Sequence, residues 1–222
     1  MKISICYSGL KNIDLYKKSI DSLFENILIE NVLLKDCDYD IFEYSENVIF
    51  NENKYSKYNG GPTAVRTSTI EPMFHKIFMC NKLKCEKEIE ENFLYDICIK
   101  SRFDFILNEK IELSNLNLNK VNIPNNGVLT IDGVIVGVCD FFAISNSINM
   151  NKYSETYKEL LNLFEKSIVS NPESLLCEHI GIDNIDLIEI DHYVLRNNGH
   201  KVKFWFGSRE LTNEQKKMLK IK

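Results

Sequence analysis

Tyr95-Asp96-Ile97-Cys98-Ile99-Lys100-Ser101-Arg102-Phe103-Asp104-Phe105 opens as an apolar strand and runs directly into an Arg-x-Asp pair. In an open α/β sheet, ligands bind beyond the carboxyl ends of the strands, where loops diverge and backbone groups are free to meet them. The stretch therefore predicts a central strand, Asp96 to Lys100, with a charged rim at its end. If the chain stays extended through Phe103, the two-residue period sends Arg102 and Asp104 to one side and packs Phe103 on the other. An Asp at such a place can hold a divalent ion, and an Arg can meet phosphate oxygens through two parallel hydrogen bonds. The simpler alternative is a surface ion pair worth under about 1 kcal/mol.

Upstream, Ile3 to Tyr7 predicts a first strand and Ser8-Gly9 a turn. A helix from Asn12 to Ile29 follows, because Ile13, Leu15, Tyr16, Ile20, Leu23, Phe24, Ile27 and Leu28 recur at helical spacing. Asp40 to Tyr44 predicts a second strand. Ser45 to Arg66, carrying Asn59-Gly60-Gly61-Pro62, reads as a long polar loop. Loops of about twenty residues are unusual in compact domains unless they work on a ligand, so this one is a candidate lid. The next helix has Ser68 and Glu71 at capping-box spacing and Pro72 in its first turn, with Met73, Phe74, Ile77, Phe78 and Leu83 as its apolar face. The resulting order, β-α-β-α-β, is the signature of a parallel sheet covered by helices.

Beyond Asp104 the pattern changes. Val121 to Ile123, Val128 to Ile131 and Val134 to Ile144 predict short antiparallel strands, with Pro124-Asn125-Asn126-Gly127 and Asp132-Gly133 as turns. A helix from about Asn151 to Ser167, another from Pro172 capped by Asn171 or Ser170, and strands at Ile185 to Ile190, Tyr193 to Arg196 and Val202 to Phe206 complete the chain. With 222 residues, the sequence predicts a single α/β domain. It is expected to divide at the change of pattern into a parallel half, residues 1–105, a mixed half, 106–206, and a C-terminal tail, 207–222.

The net charge of −5 argues against the broad basic surface that nucleic acid requires. Seven cysteines form an odd number with no CxxC pair, several of them lie in apolar strands, and together they point to a reduced, cytoplasmic compartment. The apolar part of the amino terminus is too short for a signal peptide, and no segment approaches the roughly 20 apolar residues of a spanning helix. Lys216, Lys217, Lys220 and Lys222 leave two readings of the tail: peripheral contact with the inner face of a membrane, or a solvated end.

Several further residues carry chemistry. Asp140 interrupts the apolar run Val134 to Ile144, and a carboxylate there must be paired, hydrated or put to use; it is a candidate base, or a turn Asp holding backbone N–H groups. Glu173 falls in the first turn of a helix, where the dipole favours its charge, and it is the second candidate base. Gly9 lets a base or ribose approach the backbone after Ser8, although a tight turn needs it equally. Arg66 and Lys82 flank the lid and the long helix and are candidate phosphate contacts, with a solvated face as the default. Neither a GxGxxG nor a P-loop signature accompanies them. The four histidines show no ligand spacing; His200 beside Asn198-Gly199 is either a late metal ligand or an exposed residue. Phe204, Trp205 and Phe206 fit a core, or equally an aromatic sugar platform.

A parallel nucleotide-binding half joined to a mixed half by an acidic motif resembles the GT-A fold of nucleotide-sugar glycosyltransferases, a Rossmann-like mixed sheet flanked by helices. Tyr7-Ser8-Gly9-Leu10, the Tyr95-Asp96-x4-Ser101-Arg102-x-Asp104 block, Asp140-Phe141-Phe142-Ala143-Ile144-Ser145 and Asn171-Pro172-Glu173-x-Leu175-Leu176 are similar to bacterial and viral surface-polysaccharide transferases, WavE-like lipopolysaccharide-synthesis proteins among them. The resemblance implies transfer of a sugar from a nucleotide-sugar donor to a hydroxyl of a glycan or lipid-linked glycan. It implies residues 1–105 as the nucleotide-binding half and 106–206 as the acceptor half. It implies Asp104 as ligand of Mn²⁺ or Mg²⁺ bridging the donor phosphates, Ser8, Gly9 and Arg102 at the donor, and Asp140 and Glu173 at the reacting groups; Arg66 and Lys82 lie outside its motifs and stay candidates by position alone. The usual Asp-x-Asp stands here as Arg-x-Asp, so Arg102, with Lys100 near, is placed to neutralise diphosphate charge directly. Two other functions fit the same pattern: a nucleotidyltransferase that makes the sugar nucleotide, for which Ser8-Gly9-Leu10-Lys11 is a thin version of the expected loop, and a scaffold that binds nucleotide without turnover.

Overall fold

The computed structural model describes residues 1–28, 37–46, 67–166 and 171–203. The chain builds β1 (Lys2–Ser8), α1 (Ile13–Leu23), β2 (Asp38–Tyr44), α2 (Thr67–Glu91) and β3 (Ile97–Arg102). β4 (Phe105–Leu107), β5 (Val121–Pro124), β6 (Leu129–Ile131), β7 (Val134–Gly137) and β8 (Phe142–Ser145) follow. Three helices, α3 (Ser147–Ser154), α4 (Thr156–Lys166) and α5 (Pro172–Ile180), precede β9 (Ile185–Ile188), β10 (His192–Leu195) and β11 (Lys201–Val202). It is an α/β fold with a mixed sheet of order β2-β1-β3-β8-β5-β9, flanked by helices.

The first three strands are parallel, as the β-α-β-α-β pattern predicts. β8 joins β3 antiparallel, β5 joins β8 antiparallel, and β9 joins β5 parallel. The antiparallel expectation for the stretches from 121 to 144 thus holds for β8 with both β3 and β5 and for the β6–β7 hairpin, while β9, for which no direction is expected, joins β5 parallel. A strand's sequence records which faces are buried rather than which way its neighbour runs, so the period of two could not distinguish the cases. β4 leaves the main sheet altogether and pairs with β10 in a small sheet of order β11-β10-β4.

Alternation along β1 assigns the two faces. Tyr7 meets Tyr16 of α1 edge to face, ring centroids 5.2 Å apart, whereas the carbonyl of Tyr7 takes the Cys80 thiol of α2 at 3.3 Å. α1 carries the chain from β1 to β2, and α2 carries it back past β1 to β3; right-handed crossovers in opposite directions put the two helices on opposite faces. Ile3, Ile5, Tyr7, Ile97 and Ile99 are buried, and each such side chain contributes about 1.5–3 kcal/mol by leaving water.

Several elements differ from the periodicity in instructive ways. α1 gives way to a π-helical turn at Phe24–Leu28, so the helical spacing persists while the hydrogen bonding changes. α2 is already helical at Thr67, which puts Pro72 inside the helix rather than in its first turn. The single helix expected over 151–167 is two, divided at Glu155, whose N–H is shared among the carbonyls of Asn151, Lys152 and Tyr153. The apolar run 134–144 splits into β7 and β8, and the four residues between them include Asp140. The candidate lid beyond Glu46, the Phe204-Trp205-Phe206 segment and the tail 207–222 lie outside the described residues.

Candidate functional site

The register of the parallel strands sets one row at their carboxyl ends: Ser8 lies between Tyr44 of β2 and Arg102 of β3. In-register neighbours of a parallel sheet share a face, so Lys100 and Arg102 lie on the face of Cys6 and Ser8, the one that α2 covers. Ser8 itself is buried. Gly9 has φ +137, a conformation that L side chains rarely adopt, and its N–H reaches the carbonyl of Tyr44 at 3.3 Å. The turn after β1 therefore requires this glycine on backbone grounds.

Arg102 and Asp104 come together, by a route other than an extended chain. β3 ends at Arg102, Phe103 and Asp104 form a turn, and Phe105 starts β4. Phe103 is buried against Tyr7 and Tyr16, with centroid separations of 5.7 and 5.2 Å. From α1 the Ser19 hydroxyl donates to the Phe105 carbonyl at 2.6 Å, and Leu195 N–H donates to that of Asp104 at 2.8 Å. Anchored on both sides, the turn folds Asp104 back onto Arg102. Nε donates to Oδ1 at 2.9 Å and Nη2 to Oδ2 at 2.8 Å, a two-pronged pair of the strong kind. Phe141 stacks against the guanidinium, 4.7 Å from its ring centroid, and Arg196 Nη1 stands 3.9 Å from Asp104 Oδ2.

Beneath this rim lies a buried polar group of unusual density. Lys100, 2% exposed, donates its ammonium to the main-chain carbonyl of Asp140, which the Tyr153 hydroxyl also reaches at 3.4 Å. Burial pulls the Lys100 ammonium down to about 8, assisted by Arg102 and opposed chiefly by Asp140. Asp140 is 2% exposed, and its Oδ1 has no hydrogen-bond partner among the described residues. Glu173 approaches from the first turn of α5, whose cap is Asn171 Oδ1 accepting from Ser174 N–H at 2.8 Å. The Glu173 carbonyl takes the N–H of Val138, which ties the helix to the segment carrying Asp140. Burial first, and the Asp140 carboxylate second, push the Glu173 carboxyl up to about 7, with its own amide and Arg102 pulling the other way.

The structure thus gathers Arg102, Asp104 and Asp140 around Lys100 at the end of β3, with Glu173 close enough to feel Asp140 and Arg102. Lys82 is not among them: it stands outward on α2, half exposed, and pairs with Glu86 at 3.7 Å. Amphipathic spacing explains the difference, since Asn81 and Lys84 take the buried positions on either side. Arg66 lies outside the described residues. His200 is exposed in the turn after β10. Sequence reasoning passed over Arg196 and Tyr153. Arg196 carries a mark like that of Arg102, a cation where an apolar strand ends, whereas Tyr153 shows nothing until the fold is known.

The donor set does not fit a divalent ion at Asp104. Both carboxylate oxygens are occupied by the Arg102 fork, and among the described residues no three His, Cys, Asp or Glu side chains are grouped to hold a metal. A strong ion-pair partner where a second carboxylate would be needed makes the place a poor site for Mg²⁺ or Mn²⁺.

No family model matches the chain, and no curated protein sequence matches it. Among solved structures, the chain is similar to the glycosyltransferase GlyE of Streptococcus pneumoniae TIGR4, at 14% identity and a TM-score of 0.43. The match covers 85% of this chain and 46% of that one, so the chain spans under half the length of that protein. A likeness at that distance does not bear on activity. Among the described residues no helix is long and apolar enough to cross a membrane.

Proposed function

We propose that the protein is a glycosyltransferase that moves a sugar from a nucleotide-sugar donor to a hydroxyl of a glycan or lipid-linked glycan. The observation that supports this most is the meeting of two kinds of group at one strand end: the cations Lys100 and Arg102, and the carboxyls Asp140 and Glu173, one with its pKa pushed up to about 7. An anionic leaving group and a proton to be removed need this combination.

In this reading the donor diphosphate docks at the Arg102 rim, with its nucleoside over the Tyr44–Ser8 row. Glu173, less buried than Asp140, accepts the proton of the acceptor hydroxyl. The acceptor oxygen bonds to the anomeric carbon as the bond from that carbon to the diphosphate oxygen breaks, and the departing electron pair stays on the diphosphate beside Arg102. Asp140 raises the basicity of Glu173 through its charge and does not itself touch the acceptor. A direct displacement of this kind inverts the anomeric carbon.

Release of nucleoside diphosphate from a panel of nucleotide sugars tests the proposal, with simple glycosides and lipid-linked saccharides as acceptors. At least one donor is expected to turn over, and Glu173→Gln to slow it by about a hundredfold or more. A folded protein that binds nucleotides yet releases none from any donor would instead be the scaffold. Formation of a nucleotide sugar from nucleoside triphosphate and sugar phosphate would identify a nucleotidyltransferase.

A further inference from the structure

We infer that Asp104 is an internal counter-ion that holds the place of the donor diphosphate on Arg102, and that the diphosphate is gripped by arginine without a divalent metal. The inference rests on the proposed docking of the donor at this rim. It starts from the geometry of the fork: an Arg that presents Nε and Nη2 to two carboxylate oxygens at 2.9 and 2.8 Å presents the same pair to two phosphate oxygens.

Four observations make Asp104 a stand-in rather than a ligand of its own. Both of its oxygens meet the Arg102 fork and Arg196 Nη1 stands 3.9 Å from Oδ2, so two cations converge on one anion at the rim. Phe141 stacks against the Arg102 guanidinium, and this keeps the fork aimed when its partner leaves. The side chains remain reachable, 27% exposed for Arg102 and 18% for Asp104, whereas Lys100 below is buried and adds only its field. Asp104 also has a short side chain on a tight turn whose backbone is held independently, through the Asp104 carbonyl and Leu195 N–H. The carboxylate can therefore swing off without unravelling the turn.

A counter-ion that must be displaced lowers the apparent affinity of its competitor, because only the open fraction of the rim binds. Removing the charge at position 104 therefore strengthens binding, whereas removing a metal ligand abolishes it. The two roles predict opposite signs.

The experiment is calorimetric titration of the full chain with inorganic pyrophosphate, in EDTA and separately with Mn²⁺, for the wild type, Asp104→Asn, Arg102→Gln and Arg102→Lys. Pyrophosphate is expected to bind in EDTA, about three- to tenfold more tightly to Asp104→Asn. Arg102→Gln is expected to lose about tenfold or more, and Arg102→Lys to recover part of it by restoring charge without the fork. Circular dichroism on each variant confirms that the fold is kept. Binding that appears only with Mn²⁺, binding weakened in Asp104→Asn, or no binding by the wild type in either buffer would overturn the inference. The two readings separate cleanly. Sugar transfer that needs Mn²⁺ and dies in Asp104→Asn keeps the activity and removes the counter-ion; tight metal-free pyrophosphate binding without turnover of any donor does the reverse.

Discussion

Lys100 gives its ammonium to the main-chain carbonyl of Asp140 and not to the carboxylate of the same residue. The hydrogen bond fixes the segment between β7 and β8, while the charges of the two side chains interact through space. Position and electrostatics are thereby separated: the lysine holds the loop, and Asp140 keeps an oxygen without a hydrogen-bond partner, close enough to perturb Glu173. A buried carboxylate in that condition is costly unless the nearby cations stabilise it.

The pH dependence of kcat/KM for the donor follows from these two shifted groups. Glu173 faces Asp140 and Arg102, and it must be ionised to accept a proton, so activity rises through about pH 7. Lys100 faces Asp140, Asp104, Cys139 and Arg102, and it must be protonated to add its field to the diphosphate site, so activity falls through about pH 8. A narrow bell between those values is expected from initial rates across the range. A profile flat through both would remove Glu173 and Lys100 from the chemistry together.

Glu173 also links function to stability, with a definite sign. Its folded pKa, about 7, lies above the ordinary value of 4.5. The stability associated with its neutral form is fully present below the unfolded pKa and is lost as pH rises through the folded one. Glu173→Gln imitates the neutral form at every pH. The variant is therefore expected to be more stable than the wild type by about 3 kcal/mol at about pH 8, and equal to it below about pH 4. Denaturant midpoints at the two pH values measure this. An inactive variant that is more stable near pH 8 marks a carboxylate held ionised against its surroundings; an inactive, destabilised variant would mean that Glu173 is merely structural.

Much of this arrangement was legible in the sequence, and the reasons for the remainder are physical. The parallel half follows from β-α-β-α-β periodicity, and Arg102 and Asp104 from a charge pair where an apolar strand stops. Asp140 stood out because a carboxylate interrupts an apolar run, and Glu173 because it opens a capped helix. Their meeting was not legible. It depends on β8 lying antiparallel beside β3, with Lys100 opposite Ala143 in register, and no local pattern encodes that pairing. The turn at Phe103–Asp104 was missed because Phe103 suits an extended strand and a buried turn equally well, and only the rings of Tyr7 and Tyr16 decide between them. Lys82 stands on the outer face of α2, and a lysine on an amphipathic helix carries no sign of whether that face meets a ligand or water.

The backbone under Asp140 supplies a final expectation. Gly127 lies where a Cβ would fall 2.5 Å from Cys139 Cβ and 3.1 Å from its Cα, a spacing that requires one chain to move. Cys139 is buried and directly precedes Asp140, and the next residue, Phe141, stacks on Arg102. Gly127→Ala therefore pushes on the segment that positions a carboxylate and an aromatic of the site at once. Overpacking of this kind costs about 1–3 kcal/mol, and a misplacement of about 1 Å near reacting groups lowers rates by about a hundredfold. The variant is expected to fold with a reduced denaturant midpoint and to lose far more activity than stability, because most of the core is untouched. Cys139→Ala on the same background removes the thiol but leaves the Cβ and Cα that the added methyl meets, so it should restore little. Wild-type activity in Gly127→Ala with its stability reduced as expected would show that the 138–141 segment can shift freely, and the close placement of Asp140 would then not matter to turnover.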